Sequence, residues 1–250
     1  MQIIIDDLYV HYQHTSSNNA VNPVFLRLHG RQQQWNTFDK LIELFPEHPH
    51  VVLDLPWFWK SQKPSDTWWV VEYTKLVKKF LKKVSPNEKI VVIGHSFGWR
   101  IAIELVSTTK IVEKLILLWS AGIPPKYSLF SRCVRSCSPL FNWLKCLPYL
   151  KKVITLVGRK LRSDDYLHAW TMENIFLQII TYDQQSQLSQ IDIPTLLIRW
   201  DQDDQTPIQD WKKMHTLIKN SLFHVLPGTH FVYQEKPNQI SAMIKTFTST

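Results

Sequence analysis

The sequence predicts an α/β protein with a mostly parallel central sheet, helices on both of its faces, and a helical insertion. Two observations carry this prediction. Short continuous runs of apolar residues, typical of strands buried on both faces, alternate with helix-length segments along most of the chain. This alternation stops near residue 122 and resumes near residue 190, so a segment of different character interrupts a single domain.

Each core element follows from its apolar pattern. Two β patterns, QIIID and LYVHYQH, open the chain, and VFLRLHG at 24–30 is a buried strand that ends at a glycine. The helix at 66–84 is amphipathic, with lysines along one face. The other predicted elements are a helix near 35–45, a strand at 51–55, a strand at 89–94, a helix near 98–108, strands at 114–120 and 194–200, a helix near 208–219, the strand LFHVLP and a closing helix from about 237.

The predicted domain division places residues 1–121 and 191–250 in the α/β core and residues 122–190 in a helical cap. The cap segment is rich in proline, aromatic and basic residues and lacks the strand pattern of the core. A chain of 250 residues with 44% hydrophobic content is long enough for one sizeable core.

Composition also bears on location and cofactors. No run of about 18 apolar residues predicts a membrane span, and the first ten residues do not resemble a secretory signal. The three cysteines, Cys133, Cys137 and Cys146, have no histidine near them, which argues against a disulfide framework or a zinc site. We therefore expect a cytoplasmic protein without a metal or another cofactor.

The formal net charge of +8 raises the question of an anionic partner. No nucleic-acid recognition motif accompanies the charge, so we do not expect a nucleic-acid partner. The basic residues interleaved with aromatics in the cap predict peripheral contact with an anionic membrane surface, and the alternative is an ordinary solvated face. From Lys114 to Ser163 the sequence has no acidic residue and ten basic ones: Lys114, Lys126, Arg132, Arg135, Lys145, Lys151, Lys152, Arg159, Lys160 and Arg162.

The stretch IGHSFGW at 93–99 holds the first candidate catalytic residue. Gly94-x-Ser96-x-Gly98 lies between a predicted strand and a predicted helix, as the nucleophile-elbow motif requires. In such an elbow the turn is so tight that the flanking residues must be small, and the serine hydroxyl is exposed. The alternative is a glycine-rich turn without a catalytic role.

A serine nucleophile needs a general base, and the base needs an acid to orient it. His230, in GTHFVYQEKP, follows the last predicted strand. Asp201, Asp203 and Asp204 follow the strand TLLIR. The chain order is therefore serine, aspartate, histidine.

These motifs resemble those of α/β-hydrolase-fold serine hydrolases over nearly the whole chain. The matching stretches are LRLHG, DLPWFWKSQKP, GHSFGW, LLIRWDQDDQTP and PGTHFVYQEKP. By this resemblance Asp203, four residues before Pro207, is the acid and His230 the base. Asp204 is the closer rival to Asp203, whereas Asp201 is expected to be a loop residue.

The resemblance also implies an oxyanion hole, a pocket and a reaction. The oxyanion donors would be the backbone N–H groups of Phe97 and Arg31. The cap would line a substrate pocket, for which Phe141, Trp143 and Phe176 are candidates. The expected activity is cleavage of carboxylic esters through an acyl-enzyme. The same triad could serve thioesters or carbon–carbon bonds, and a non-catalytic protein that binds a small molecule is the alternative from another class.

The chain has 11 tryptophans and only 6 glycines, whereas average glycine usage of about 7% would give about 17 or 18 glycines. The resemblance places glycine or another small residue at the positions of Trp57, Trp59, Trp99 and Trp200. Our hypothesis is that UGA codons, read as glycine in some bacteria, have been translated as tryptophan. The alternative is that these are true tryptophans that crowd the site.

Overall fold

A computed structural model describes the chain at residues 1–16, 21–30, 33, 35–65, 68–118, 123, 181–202, 206–228 and 236–249. Its described strands form one eight-stranded sheet. The strands are β1 (Gln2–Ile5), β2 (Leu8–Thr15), β3 (Val24–Leu28), β4 (His50–Leu53), β5 (Ile90–His95), β6 (Val112–Leu118), β7 (Thr195–Trp200) and β8 (Ser221–Leu226).

Helices connect the strands and cover the sheet. A 3₁₀ turn, Trp35–Phe38, leads directly into the first helix. The helices are α1 (Asp39–Ile42), α2 (Val70–Val84), α3 (Phe97–Ser107), α4 (Gln185–Ser189), α5 (Ile208–Leu217) and α6 (Pro237–Ser249).

The strand order is β1-β2-β4-β3-β5-β6-β7-β8. β1 pairs antiparallel with β2, and β2 pairs antiparallel with β4. All later pairs are parallel, from β4–β3 through β7–β8. Every residue of β3 and β5 is buried, as expected for strands with helices on both faces. The predicted fold class, an α/β-hydrolase fold with a mostly parallel sheet, is therefore confirmed.

Two helices are shorter than their patterns predict. The helix expected near 35–45 consists of the 3₁₀ turn and the single α-helical turn of α1. α2 begins at Val70 rather than near residue 66. The Glu72 carboxylate accepts a hydrogen bond from the Trp69 backbone N–H at 2.9 Å, and this contact fixes the first turn of the helix at that point.

Most of the predicted cap lies outside the described residues, so its boundaries at 122 and 190 stay a prediction. Residues 1–123 and 182–250 form one compact unit. Within that unit, Arg100 on α3 donates to the Tyr182 carbonyl at 2.7 Å, and the Gln184 amide donates to the Arg100 carbonyl at 2.8 Å. These bonds fix the residues that follow position 181 onto α3.

Of the ten basic residues between 114 and 163, the structure describes Lys114. Its ammonium group donates to the carbonyls of Phe247 and Thr248, both at 3.0 Å, in the last turn of α6. A cation is favourable at the carbonyl end of a helix, so this lysine has a structural role. Among the helices within the described ranges, none is both long and apolar enough to cross a membrane.

An arginine and a histidine lie together inside the core. The Arg27 side chain on β3 is fully buried, and burial lowers its pKa to about 9. Its Nη2 atom lies 3.1 Å from Nδ1 of His50, whose Nε2 lies 2.8 Å from the Phe45 carbonyl. His50 therefore donates through Nε2 and accepts through Nδ1, which is the neutral form of the ring.

This buried pair predicts a loss of stability in acid. Burial, followed by the charge of Arg27, lowers the pKa of His50 to about 3. Between pH 6.5 and 3 the unfolded chain therefore binds a proton that the folded chain does not. We expect this site to lower the free energy of unfolding by up to about 1.4 kcal/mol for each pH unit of acidification.

Urea unfolding of the native chain and of His50→Gln between pH 7 and 4.5 measures this contribution. The substitution removes the titrating group, so the profile of the variant should be shallower than that of the native chain. Parallel profiles would contradict the assignment.

Candidate active site

Ser96 lies on a tight turn between the central strand and the helix that follows it. β5 ends at His95 and α3 begins at Phe97, so one residue makes the whole connection. Ser96 has φ 49° and ψ −113°, in a region that residues with a Cβ rarely adopt. A strained serine held at such a position by the surrounding structure is typical of a nucleophile elbow.

The two glycines of the motif are required by close backbone approach. A Cβ atom at Gly98 would lie 2.1 Å from the carbonyl oxygen of Leu28 on β3. A Cβ atom at Gly94 would lie 2.6 Å from the Cα atom of Trp99. The start of α3 is therefore packed against the main chain of two strands, and no larger residue fits at either glycine without displacing that backbone.

His29 shapes the loop that follows β3. Its Nδ1 donates to the Gly30 carbonyl at 2.7 Å, and its Nε2 accepts from the Leu55 N–H at 3.0 Å. The ring is fully buried, and this burial lowers the pKa of His29, which keeps the imidazole neutral. The neutral ring joins the loop after β3 to the loop after β4.

Gln33 is a site residue that the sequence analysis does not identify. Its side-chain oxygen accepts from the Gly30 N–H at 2.8 Å and lies 3.0 Å from Nδ1 of His95, directly before Ser96. A Cβ atom at Gly30 would lie 3.0 Å from the Cβ atom of Ser96. Gln33 therefore links the loop after β3 to the elbow. It is one of three consecutive glutamines, and no spacing rule distinguishes it from the other two.

Phe97 has the geometry expected of an oxyanion donor. As the first residue of α3, its backbone N–H has no acceptor within the helix. Its buried ring packs against Tyr73, with ring centroids 5.0 Å apart, and against Phe58 at 5.8 Å. These contacts fix the residue that follows the serine.

Asp203 and His230 lie outside the described residues, but the residues beside them are joined. The Asp201 N–H donates to the Leu226 carbonyl at 2.9 Å, and the Asp201 carboxylate accepts from the Gly228 N–H at 3.0 Å. The Gln202 N–H also donates to the Gly228 carbonyl at 3.3 Å. The loops after β7 and β8 therefore leave the sheet side by side.

A basic side chain also bridges each of these two loops. Arg199 donates to the Trp200 carbonyl at 2.6 Å and to the Thr206 carbonyl at 3.0 Å, on either side of residues 201–205. Lys236 donates to the Pro227 carbonyl at 3.0 Å, across residues 228–235. The ends of both loops are thus held close together.

Within the described part of the chain, five residues lie together at this site: Gly30, Gln33, His95, Ser96 and Phe97. Within these ranges, no group of three histidine, cysteine, aspartate or glutamate side chains is arranged to hold a metal ion. Several predicted residues lie outside the described ranges and stay predictions: Arg31, Phe141, Trp143, Phe176, Asp203, Asp204 and His230.

Comparison with known proteins identifies the class. The model of the alpha/beta hydrolase family matches residues 24–242, so this chain belongs to that family. The uncharacterized hydrolase YugF of Bacillus subtilis (strain 168) is 26% identical over 264 aligned positions, which cover 97% of this chain and 95% of the relative.

Solved structures show the same fold. A lipase-esterase related protein from Clostridium acetobutylicum matches with a TM-score of 0.72 and 21% identity, over 95% of this chain and 99% of that one. An esterase from Exiguobacterium antarcticum matches with a TM-score of 0.73 and 16% identity, over 98% of this chain and 97% of that one.

We predict that Gln33→Met loosens the loop after β3. Methionine has a similar length but cannot replace the oxygen that accepts from the Gly30 N–H. Loss of a hydrogen bond of about 1 kcal/mol should speed hydrogen exchange of the Gly30 amide about fivefold. Gln62→Met is the matched control, because Gln62 accepts from the Tyr9 N–H instead. Unchanged exchange at Gly30 in Gln33→Met would contradict the proposed link.

Proposed function

We propose that this member of the family is a serine hydrolase that cleaves carboxylic esters without a cofactor. The observation that carries the proposal is the conformation of Ser96, with φ 49° on a one-residue turn between β5 and α3. Such a turn presents the hydroxyl at the carboxyl edge of the sheet, where a substrate can reach it.

In the proposed reaction the Ser96 hydroxyl attacks the ester carbonyl and His230 accepts its proton. Asp203 orients the ring of His230 and stabilises its protonated form. The negative oxygen of the tetrahedral intermediate accepts from the N–H groups of Phe97 and Arg31. His230 then protonates the leaving alcohol, and an acyl-enzyme remains on Ser96. A water molecule, deprotonated by His230, releases the acid and restores the serine.

The sheet topology supports this assignment of partners. β5, β7 and β8 are parallel, so their carboxyl ends lie at one edge of the sheet. Ser96 follows β5, and the loops that contain Asp203 and His230 follow β7 and β8. The bonds of Gly228 to Asp201 and Gln202 hold these two loops together.

Labelling by a fluorophosphonate tests the nucleophile. We expect the native chain to be labelled and to hydrolyse short p-nitrophenyl esters. Ser96→Ala should lose the label, and its kcat should fall by about a thousandfold or more. Ser107→Ala, at the other end of α3, is the control and should keep both properties. A native chain that is not labelled, or a label that persists in Ser96→Ala, would contradict the proposal.

Paired substitutions distinguish the proposed acid from its neighbour. Asp203→Asn should lower kcat about 10⁴-fold, because the histidine would lose the carboxylate that holds its productive tautomer. Asp204→Asn should change kcat less than about tenfold, since a loop carboxylate that does not touch the base contributes little. The opposite result, measured on the same p-nitrophenyl ester, would assign the acid to Asp204.

A further inference from the structure

Two consecutive β-turns form the loop after β4. The Phe58 N–H donates to the Leu55 carbonyl at 2.9 Å and closes the first turn. The Ser61 N–H donates to the Phe58 carbonyl at 3.0 Å and closes the second. Phe58 ends one turn and begins the next, so the loop has no spare residue between them.

The first turn has the residue pattern and the positive φ that are typical of type II. Pro56 occupies its first central position, which suits proline because the ring fixes φ near −65°. Trp57 occupies the second central position with φ 82°. A type II turn requires φ near +80° at this position, and glycine or asparagine normally supplies it. Tryptophan is strained there because its Cβ atom crowds the backbone.

The second turn places another tryptophan at a glycine position. Trp59 is its first central residue and has φ 48°. Lys60 is the second central residue, and its φ is negative. Positive φ at the first central residue alone is typical of a type II′ turn, in which that position is normally glycine.

The loop cannot relieve this strain by rotating away. The Trp57 N–H donates to the Gln62 carbonyl at 3.1 Å, and the Gln62 N–H donates to the Tyr9 carbonyl at 2.8 Å. The Ser61 hydroxyl donates to the Asp54 carbonyl at 2.6 Å. The hydrogen bonds therefore fix the main chain at both ends of the two turns.

Neither side chain gives a reason for tryptophan at these positions. The Trp59 side chain is 62% exposed, so it buries little apolar surface. The Trp57 side chain is half-buried, and the Lys63 ammonium lies 4.0 Å from its ring centroid, a contact worth about 1 kcal/mol.

We propose that the natural polypeptide has glycine at positions 57 and 59, where UGA codons are read as glycine and not as tryptophan. The backbone at both positions is that of glycine, and the chain has fewer glycines than its length predicts. The same codon is expected at positions 99 and 200. Both indoles are fully buried there, and within the described ranges neither indole N–H has a hydrogen-bond partner.

The two turns adjoin the candidate site through Phe58, which lies between them. Its ring contacts His29 at a centroid distance of 5.2 Å and Phe97 at 5.8 Å. If the function proposed above is correct, glycine at positions 57 and 59 keeps this support for the oxyanion donor without strain in the backbone on either side of it.

The codons decide the inference directly. UGA at positions 57 and 59, together with peptides from the source organism whose masses fit glycine there, is the expected result. UGG at either position, or peptide masses that fit tryptophan, would overturn it. This test does not use enzymatic activity, so it stands or fails separately from the proposed function.

Thermal unfolding tests the backbone argument on the recombinant chain. Trp59→Gly should melt about 3 °C higher than Trp59→Ala, because only glycine is free of strain at this φ. Tyr9→Gly and Tyr9→Ala are the matched pair, since Tyr9 is 55% exposed on β2 and is not among the residues with positive φ. There the order should reverse, with the glycine variant melting lower. A lower melting temperature for Trp59→Gly than for Trp59→Ala would contradict the inference.

Discussion

The close contact between the start of α3 and the main chain of β3 is the constraint on which the candidate site depends. The Gly98 N–H donates to the His29 carbonyl at 3.1 Å, and a Cβ atom at Gly98 would lie 2.1 Å from the Leu28 carbonyl oxygen. Because the helix begins so close to the strand, one residue must turn the chain, and Ser96 adopts positive φ. The same contact brings Gly30 beside the serine. A turn that would be unfavourable alone is thus held by packing on both sides.

Buried polar groups hold the loops around that turn. Asp54 lies at the end of β4, and its carboxylate contacts Nδ1 of His11 at 2.6 Å and accepts from the Trp35 N–H at 2.8 Å. His29, kept neutral by burial, joins the Gly30 carbonyl to the Leu55 N–H. Each of these groups is removed from water, so breaking one bond would leave an unpaired polar atom in the core. The loops are therefore positioned by hydrogen bonds as well as by apolar packing.

Much of the fold could be predicted from local pattern, and the exceptions have physical causes. The runs VFLRL, IVVIGH and TLLIRW are mostly apolar, as expected of strands with helices on both faces, and all three are buried strands. The type and the bounds of the helix near 35–45 could not be predicted as accurately as those strands. Its residues form a 3₁₀ turn and one α-helical turn, and the Trp35 N–H at its start is bound by the Asp54 carboxylate, which is distant in the chain. Gln33 was missed for a similar reason, since its partner His95 is 62 residues away in the chain.

The sequence by itself determined the fold class, the family resemblance and the position of Ser96, because these depend on periodicity and on short motifs whose spacing is local. It also identified Trp57 and Trp59 as residues in glycine positions. Only the tertiary structure decided why glycine belongs there: one turn is closed by a bond from Phe58 to the Leu55 carbonyl and the other by a bond from Ser61 to the Phe58 carbonyl, and both tryptophans within them have positive φ. It likewise joined the ends of β7 and β8 through Asp201 and Gly228. Contacts of this kind arise between segments far apart in the chain, where no local pattern specifies which groups will meet.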